Sequence, residues 1–503
     1  MYRTWRGPAG RFHDIEPVQS GKVFCLTVGA AALVVIANRE FITYGLPVGE
    51  VLVAALAAVW ILLVVRDWRW GIWGMIAYLP FVGLPQIITY PNTTLPVLAK
   101  DILFVAPCYL SLGAGVLTRR LRIQSYGLPW QLLLLFGAIN VVEFFNPALS
   151  SKVVGLIGMK IWLLYIPLAF IIPQFVGSVK RLRTVLRVIT YLSAGPAALG
   201  LVEFALIHAG LTGTVWSWYG KAAQAMFANG GGADLGDKQY LFHIPSTFPS
   251  QGQYSYFLLM SIACGFALLG LECDPKRIGL AWAIIGCDCI AALTSGAKAA
   301  FLYVPILLAL IALGTRGVKG LLRMIPMAAG SLGLTVVLLG GAGAGLYALV
   351  SQATAVYGQQ ILTQELAGAL QTAALGLGPG MDSGSAGHYS GNDATFVWLA
   401  EGWWAQVIYE LGIPGLALVA GIWLVILWEG WTIRRALQDQ VLARIAVCMV
   451  AYIIVMLYAS LKAVPLNQDP GNVYIWIAVG LLVSLPGLER VTSRSASPGD
   501  RDQ

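Results

Sequence analysis

The stretch GIPGLALVAGIWLVILWEGW, Gly412 to Trp431, carries a single ionisable side chain, Glu429, close to its end. It has 20 residues, and about 20 apolar residues in an α-helix span the hydrocarbon core of a bilayer. Pro414 suits the first turn of such a helix, because the N–H that proline lacks would have no partner there. The stretch therefore predicts a transmembrane helix, and with it a membrane protein.

The rest of the chain repeats this pattern. Of its 503 residues, 58% are hydrophobic and 11% are charged, and the mean hydropathy is +0.75. A soluble protein this apolar could not cover its surface with polar groups. We predict an all-α, polytopic integral membrane protein with one membrane domain over residues 23–487 and about 14 transmembrane helices. The predicted spans are 23–38, 50–65, 71–88, 102–117, 128–144, 157–177, 185–208, 253–271, 278–294, 299–314, 326–349, 412–431, 444–461 and 471–487.

Basic residues set the predicted orientation. Cytoplasmic loops of membrane proteins are enriched in Lys and Arg, and with a cytoplasmic N terminus 24 of the 32 lysines and arginines fall on that side. Residues 1–22 and 488–503 then form cytoplasmic tails, and the composition of the second predicts disorder. Because this topology accounts for the net charge of +8, nucleic acid is not an expected partner.

Two outward segments are much longer than the others, 209–252 and 350–411, and both are rich in Gly, Ser, Gln and Asp. Long loops of this kind often carry function. In the second segment, NDATFVWLAEGWWAQVIYE from Asn392 combines a helix start with apolar residues. It predicts an interfacial helix that lies against the membrane, with Asn392 or Asp393 as its N-cap.

Two carboxylates lie near the end of this predicted helix. Glu401 and Glu410 are nine residues apart, about 2.5 helical turns, which places them on opposite faces unless the helix breaks at Gly402. They are therefore not expected to act as an adjacent acid and base. Glu401 is the candidate for chemistry, whereas Glu410 is interpreted as structural, as a cap for the turn at Gly412.

Metal and cofactor chemistry is not expected from the sequence. The seven cysteines form no disulfide framework, the four histidines lack metal-ligand spacing, and the outward segments contain no Asp-x-Asp pair. Three acids lie within or near predicted spans, namely Glu143, Glu203 and Asp288. Ionisable groups at membrane depth indicate function by default, and Lys160 is a candidate partner for Asp288, which is closest to mid-span.

Three stretches together resemble the superfamily of O-antigen polymerases and O-antigen ligases, which are polytopic membrane glycosyltransferases. The first is HIPSTFPSQGQYSYFLL from His243, and the second is LTSGAKAAFL from Leu293. The third is LGLGPG from Leu375, followed by EGWWAQVIYELGIPG from Glu401. Their order matches the family's, and they cover residues 240–430. Members commonly carry Arg where this chain has His243 and Lys298, and ligases commonly carry His near the position of Glu401, which favours a polymerase.

The resemblance implies an enzyme of the bacterial inner membrane with its active site on the periplasmic side. Its substrate would be a glycan linked to undecaprenyl diphosphate, polymerised into O-antigen, capsule or exopolysaccharide by inverting, metal-independent transfer. No cofactor is implied. The implied partners are the lipid-linked glycan, membrane lipid, and a chain-length regulator or other export-assembly proteins.

Such a reaction needs cations for the departing diphosphate. Lys298 is the first candidate, because it lies in a Ser-Gly-Ala-Lys turn at the outer boundary. His243 and Lys238 are further candidates for binding the same diphosphate. Lys221 and Lys462 compete for this role.

The reaction also needs a group that takes the proton of the acceptor hydroxyl. Glu401 is the first candidate for this catalytic role and Asp393 the second, ahead of Asp382. Trp403 and Trp404 could stack on sugar rings, and Gln251 is a further candidate for sugar binding.

Two other functions remain open at this stage. A ligase would transfer the finished glycan to a lipid or another terminal acceptor. A membrane transporter, the alternative from another class, would place polar sites at mid-membrane in broken helices or repeated halves. The polar residues of this chain concentrate in the two outward segments instead, which favours the enzyme.

Overall fold

The computed structural model describes residues 48–89, 94–119, 128–220, 233–235, 238–241, 244, 246–338, 365–383 and 400–496. The predicted span 23–38 lies outside these residues. The helices are α1 Val48–Arg66, α2 Arg69–Tyr78, α3 Gly83–Thr89, α4 Thr94–Lys100, α5 Ala106–Leu117, α6 Trp130–Phe144, α7 Lys152–Leu163, α8 Leu168–Val176, α9 Val179–His208, α10 Thr212–Trp218, α11 Gln251–Leu269, α12 Pro275–Thr294, α13 Ala300–Leu338, α14 Ala367–Thr372, α15 Trp403–Ala436, α16 Gln440–Ala459 and α17 Gly471–Ala496.

The helical membrane body predicted from the sequence is confirmed. Among the described residues, nine helices are long and apolar enough to cross a membrane. The count is ten if the pair Arg69–Phe81 and Gly83–Thr89, bent by 54°, forms one span. Two shorter apolar helices, Ala54–Arg66 and Trp130–Phe144, coincide with two further predicted spans.

Side-chain caps explain where many of these helices begin. The Oγ atoms of Ser151, Ser178 and Ser250 accept backbone N–H groups of the first turns of α7, α9 and α11. The carboxylates of Asp274 and Asp439 do the same for α12 and α16. A short polar side chain at the N-cap satisfies N–H groups that have no partner within the helix.

The first outward segment, 209–252, contains both a short helix and two short strands. It contains α10 and a small antiparallel pair of strands, β1 Ala233–Leu235 and β2 Lys238–Leu241. The fold is otherwise helical as predicted, and this short strand pair was not expected because it lies outside the apolar blocks and gives no span signal. The spans themselves are α-helical, as backbone hydrogen bonding in lipid requires.

The ends of the long helices lie at two opposite sides of the helical body. At the arginine end, Arg187 at the start of α9 pairs with Glu272 after α11 at 2.5 Å, and Arg434 donates to the carbonyl of Gly314 at 2.8 Å. At the opposite end, here called the loop end, lie the starts of α11 and α15 and the connection 460–470 between α16 and α17. Parts of all three motifs of the sequence resemblance lie at this end. The loop end is therefore the location of the candidate site.

Candidate functional site

A break inside α15 positions the glycine-rich loop of the third motif. Gly412 has φ 69° and ψ −172°, a backbone conformation that is essentially restricted to glycine. The loop 375–380 crosses this break, and Leu377 N donates to the carbonyl of Tyr409 at 2.8 Å. The exposed backbone groups at the break are thus satisfied by the loop, and the two parts of the motif form one unit.

Glu410 holds this unit together from inside. Its carboxylate is completely buried and accepts N–H groups from Trp162 at 2.6 Å, Gly380 at 2.6 Å, Gln406 at 2.9 Å and Asp382 at 3.2 Å. These donors satisfy the lone pairs that make burial of a carboxylate costly. Glu410 is structural as predicted, but it anchors the glycine-rich loop to α7 rather than capping the turn at Gly412.

The helical segment 403–411 does not lie on the membrane surface as predicted. Among its residues only Trp404 is half-buried and the others are buried. The helix begins at Trp403 with Gly402 in extended conformation as its N-cap. Glu401 therefore precedes the helix, so the exception allowed for a break at Gly402 applies and helical spacing does not relate Glu401 to Glu410. The apolar residues that suggested a membrane surface contact other helices instead.

The connection 460–470 ties this unit to the rest of the loop end. Asn467 Nδ2 donates to Gln406 Oε1 at 2.9 Å, and Asn467 Oδ1 accepts from Trp403 Nε1 at 2.9 Å. Trp403 N also donates to the carbonyls of Ser460 at 2.9 Å and Ala463 at 3.0 Å. The start of α15 is thus fixed on two sides.

Lys462 in the same connection pairs with two carboxylates. Its ammonium contacts Glu401, and it lies 3.4 Å from Glu365 Oε1. Glu365 in turn accepts from Gly402 N at 2.9 Å. Glu401 remains 63% exposed in its side chain, so a carboxylate and a cation stand together at the accessible surface of the loop end.

A buried charge network lies beneath this connection. Lys100, which is 0% exposed, pairs with Asp469 at 2.8 Å and Asp101 at 3.1 Å. Asp101 also pairs with Lys160 at 2.7 Å and accepts from Tyr165 Oη at 2.6 Å. Two lysines thus balance two aspartates, as buried charges require.

This network corrects one prediction. Lys160 was the candidate partner of Asp288, but its ammonium pairs with Asp101. Asp288 instead lies 2.9 Å from the hydroxyl of Ser193. The error arose because the sequence does not tell which helices are neighbours.

A narrow crevice runs along α15 between α6, α7 and α17. Its volume is about 40 Å³, and its walls include Trp162, Trp403, Trp423, Trp476 and Asn467. This space suits a few water molecules rather than a sugar ring. The crevice adjoins the Glu410 unit, because Trp162 and Trp403 belong to both.

The first two motifs meet at the loop end. Ile244 N, next to His243, donates to the carbonyl of Ser295 at 3.3 Å. Ser295 belongs to the turn that carries Lys298 between α12 and α13. The two stretches that the resemblance links to the diphosphate are therefore hydrogen-bonded to each other.

The Ser-Thr turn of the first motif rests on a buried acid. Ser246, with φ 46°, donates through its backbone N–H to Glu203 at 2.7 Å, and Tyr219 Oη contacts the same carboxylate. Burial, followed by the negative charge of Glu203, raises the pKa of the Tyr219 phenol well above its usual value. The phenol therefore stays protonated, and its O–H group donates a hydrogen bond to Glu203.

An aromatic chain connects these two motifs to the third. The rings of Tyr256 on α11 and Tyr303 on α13 lie 6.4 Å apart, and Tyr303 lies 5.9 Å from Tyr458 on α16. Trp404 Nε1 then donates to the carbonyl of Leu457, next to Tyr458, at 3.3 Å. Three helices that carry the motifs, α11, α13 and α15, are thus packed together with α16 near the loop end.

The predicted site residues have different surroundings. Lys298 is exposed, and Gln251 is the half-buried first residue of α11. Lys238 belongs to β2, whereas His243 and Asp393 lie outside the described residues. The runner-up Asp382 is fully buried beside Glu410.

Sequence reasoning missed Trp162, Gln406, Asn467 and the pair of Lys100 and Asp469. The only available signal was the adjacent Lys100 and Asp101 at the edge of an apolar block, since charges at such positions indicate a paired site. A neutral Asn or Gln gives no comparable signal. These residues become visible only when the helices that carry them are neighbours.

Within the described ranges, no group of three or more His, Cys, Asp or Glu side chains is arranged to hold a metal ion. Comparison of the chain with family models, curated proteins and solved structures finds no match. Its function is therefore argued from its residues and their geometry alone.

Proposed function

We propose that the protein is a glycosyltransferase of the bacterial inner membrane that polymerises undecaprenyl-diphosphate-linked repeat units of a surface polysaccharide. The proposal includes 14 spans, cytoplasmic termini and a periplasmic loop end. The observation that carries it is the joining of three separate motifs at that end. Ile244 and Ser295 link the first two, the Glu410 unit joins the two parts of the third, and the aromatic chain connects the third to the others.

In this mechanism a hydroxyl of one glycan attacks the anomeric carbon of another, and the bond from that carbon to the diphosphate breaks. The proton of the hydroxyl passes to Glu401, with Asp393 as the second candidate. Lys298, His243 and Lys238 offset the charge that develops on the departing diphosphate. No metal ion is needed for this charge balance.

The Glu401 and Lys462 pair fits this scheme. The ion pair holds the Glu401 carboxylate at the accessible surface of the loop end, where a substrate hydroxyl can reach it. Movement of Lys462 towards the incoming diphosphate would then release Glu401 as a base. The half-buried Trp404 and Gln251 would hold the sugars, with the buried Trp403 behind Trp404.

Deletion of the gene in its own host, followed by electrophoresis of the surface polysaccharide, tests the proposal. We expect the deletion strain to carry single repeat units, and the wild-type gene to restore long chains. Glu401→Gln and Lys298→Ala should fail to restore them. Lys276→Ala is the matched control for Lys298→Ala, because it is an exposed lysine at the opposite end of α12.

Two results would contradict polymerisation. Long chains that accumulate unattached in the deletion strain would indicate a ligase, since polymerisation would then be intact. Unchanged polysaccharide would exclude both enzymes as the protein's role in that host.

A further inference from the structure

Asp288 is a buried acid without a positively charged partner. It is 0% exposed and lies six residues before Thr294, the end of α12, which is about 9 Å along the helix. None of the ion pairs among the described residues includes it. Its Oδ1 atom has no hydrogen-bond partner in the described part of the chain. An isolated buried carboxylate is so costly that it either binds a cation or takes up a proton.

The oxygens around Asp288 are spaced for hydrogen bonds. Asp288 Oδ2 lies 2.9 Å from Ser193 Oγ, and Ser193 Oγ lies 2.7 Å from both Ser261 Oγ and the carbonyl of Thr190. These are hydrogen-bond distances between oxygens. In the described part of the chain, Asp288 also belongs to no group of three or more His, Cys, Asp or Glu side chains that could hold a metal ion.

Counting protons assigns one to Asp288. Ser261 donates to Ser193, and Ser193 has one proton for two neighbours, Asp288 and the carbonyl of Thr190. If Asp288 is a carboxylic acid, it donates to Ser193, and Ser193 donates to Thr190. Each of these three contacts then has its own proton. If Asp288 is ionised instead, one of the three contacts has no proton.

In the part of the chain that the structure describes, no neighbouring positive charge offers an alternative to a proton on Asp288. The titratable groups in electrostatic contact with Asp288 are Cys287 and Cys289 on α12 and Tyr254 on α11. None of them is a cation. On the facing helix α9, the basic residue nearest along the chain is Arg187, which is engaged by Glu272.

A line of polar groups leads from Asp288 towards the loop end. Pro196, one turn beyond Ser193 on α9, accepts at its carbonyl from Tyr254 Oη at 3.0 Å and Ser246 Oγ at 2.8 Å. Ser246 N donates to Glu203, which Tyr219 Oη also contacts. Hydroxyl groups and a second acid thus continue from the middle of α9 to its outer turns.

The step between Pro196 and Ser193 is one turn, a rise of about 4.5 Å, which a single water can bridge. Pro196 has no N–H, so the carbonyl of Leu192 lacks its usual partner within the helix. Ser255 Oγ and Thr190 Oγ1 are also buried without a partner among the described residues. Polar atoms in this state are positions at which proteins hold internal water.

We propose that Asp288, Ser193 and Ser261 form a proton-binding site inside the membrane, and that the site exchanges its proton with the loop end along Tyr254, Ser246 and Glu203. One proton enters at the loop end and converts the Asp288 carboxylate to a carboxylic acid. Each hydroxyl on the way releases one proton and receives another, so that only Asp288 changes its charge. This activity goes beyond sugar transfer and does not depend on it.

Infrared difference spectroscopy of the full chain in lipid nanodiscs tests the site. We expect a carbonyl-stretch band of a buried carboxylic acid that disappears in Asp288→Asn and persists in Glu429→Gln, a carboxylate near the arginine end. Ser193→Ala should shift this band, because it removes the hydrogen-bond acceptor of the acid. It serves as the second variant if Asp288→Asn does not fold. If neither variant changes any carboxylic acid band, Asp288 is ionised and the proposal is wrong.

The rate at which this band shifts after transfer to D₂O tests the route. We expect Tyr254→Phe and Glu203→Gln to slow the shift about fivefold, the equivalent of one lost hydrogen bond. Tyr191→Phe, on the arginine side of Asp288 in α9, should leave the rate unchanged. Slowing by Tyr191→Phe but not by Tyr254→Phe would place the entrance at the arginine end and overturn the proposed route.

Discussion

Glu410 is the residue on which the geometry of the third motif depends most. Its carboxylate joins α15, the glycine-rich loop and α7 through Gln406, Gly380, Asp382 and Trp162. All four contacts are donated by N–H groups, so only an acceptor at this position satisfies them. The side chain therefore acts as an internal anchor that keeps loop and helix in register.

We expect Glu410→Gln to lower the free energy of unfolding by about 2 kcal/mol or more, because the amide replaces one acceptor oxygen with a donor facing N–H groups. Thermal unfolding in detergent measures the change. Glu429→Gln, at a half-buried position in the same helix, is the matched control and should change stability little. Equal unfolding temperatures for both variants would contradict the anchoring role of Glu410.

The pairing of Lys100 with Asp469 is a second test at the residue scale. We expect Lys100→Met to cost about 3–5 kcal/mol, since it leaves a buried aspartate without its cation. Asp101 keeps Lys160, whereas Asp469 loses its one ion pair among the described residues. Unfolding measurements in detergent are again suitable, with Lys276→Met as the exposed control.

The double variant Lys100→Met, Asp469→Asn separates charge from packing. If the pair is what matters, the double variant should be more stable than Lys100→Met alone, because no unpaired aspartate remains. Additive losses would instead mean that the lysine contributes only through the packing of its chain.

At the scale of elements, the break in α15 depends on a glycine at position 412. Gly412 combines a positive φ with close contact, because a Cβ there would lie 2.6 Å from the carbonyl carbon of Leu375 and 2.7 Å from the carbonyl oxygen of Ala374. The break lets the loop 375–380 cross the helix. An unbroken helix would have no exposed backbone groups to hold that loop.

We expect Gly412→Ala to lower the unfolding temperature, with roughly 1–3 kcal/mol lost from the backbone conformation alone. Gly421→Ala in the same helix is the matched control, since its Cβ would meet nothing within 4 Å. That substitution should leave stability unchanged or raise it slightly, because alanine favours the helix. A similar loss in both variants would show that glycine at 412 is not required.

The positions of the spans follow from the sequence because the length of an apolar block is a local property. Residues 253–271 and 278–294 were predicted as spans, and the helices are Gln251–Leu269 and Pro275–Thr294. The burial of the segment 403–411 could not be predicted from the sequence, because its apolar residues suit a membrane surface and a protein interior equally well. Only the neighbours of Val407 and Ile408, both fully buried, decide between the two.

The site was less predictable than the spans. The motif order suggested that separate stretches lie together, and the bond between Ile244 and Ser295 joins two of them. The partners of Glu410 and Lys100 come from α7 and from the connection 460–470, far away in the chain. Such contacts depend on the arrangement of helices in space, which no local pattern encodes.

At the scale of the whole molecule, sidedness decides whether the proposed chemistry is reachable. The arginine end carries Arg187 and Arg434 with its other basic clusters, and such clusters favour the cytoplasm. The loop end with Glu401 and Lys298 would then face the periplasm, as the proposed function requires. Cys273 is exposed in the connection between α11 and α12, at the arginine end, and provides a reporter of this orientation.

We expect a membrane-impermeant maleimide to label Cys273 in inverted membrane vesicles but not in right-side-out ones. Cys25 and Cys287 are replaced by serine to remove background. In a Cys273→Ser chain with the same replacements, Glu401→Cys should show the opposite pattern, because its side chain lies exposed at the other end. Labelling of Cys273 from the outside would reverse the orientation and place Glu401 and Lys298 in the cytoplasm, away from a periplasmic donor. The two reporters test each other, since in a chain with one orientation they cannot both react from the same side.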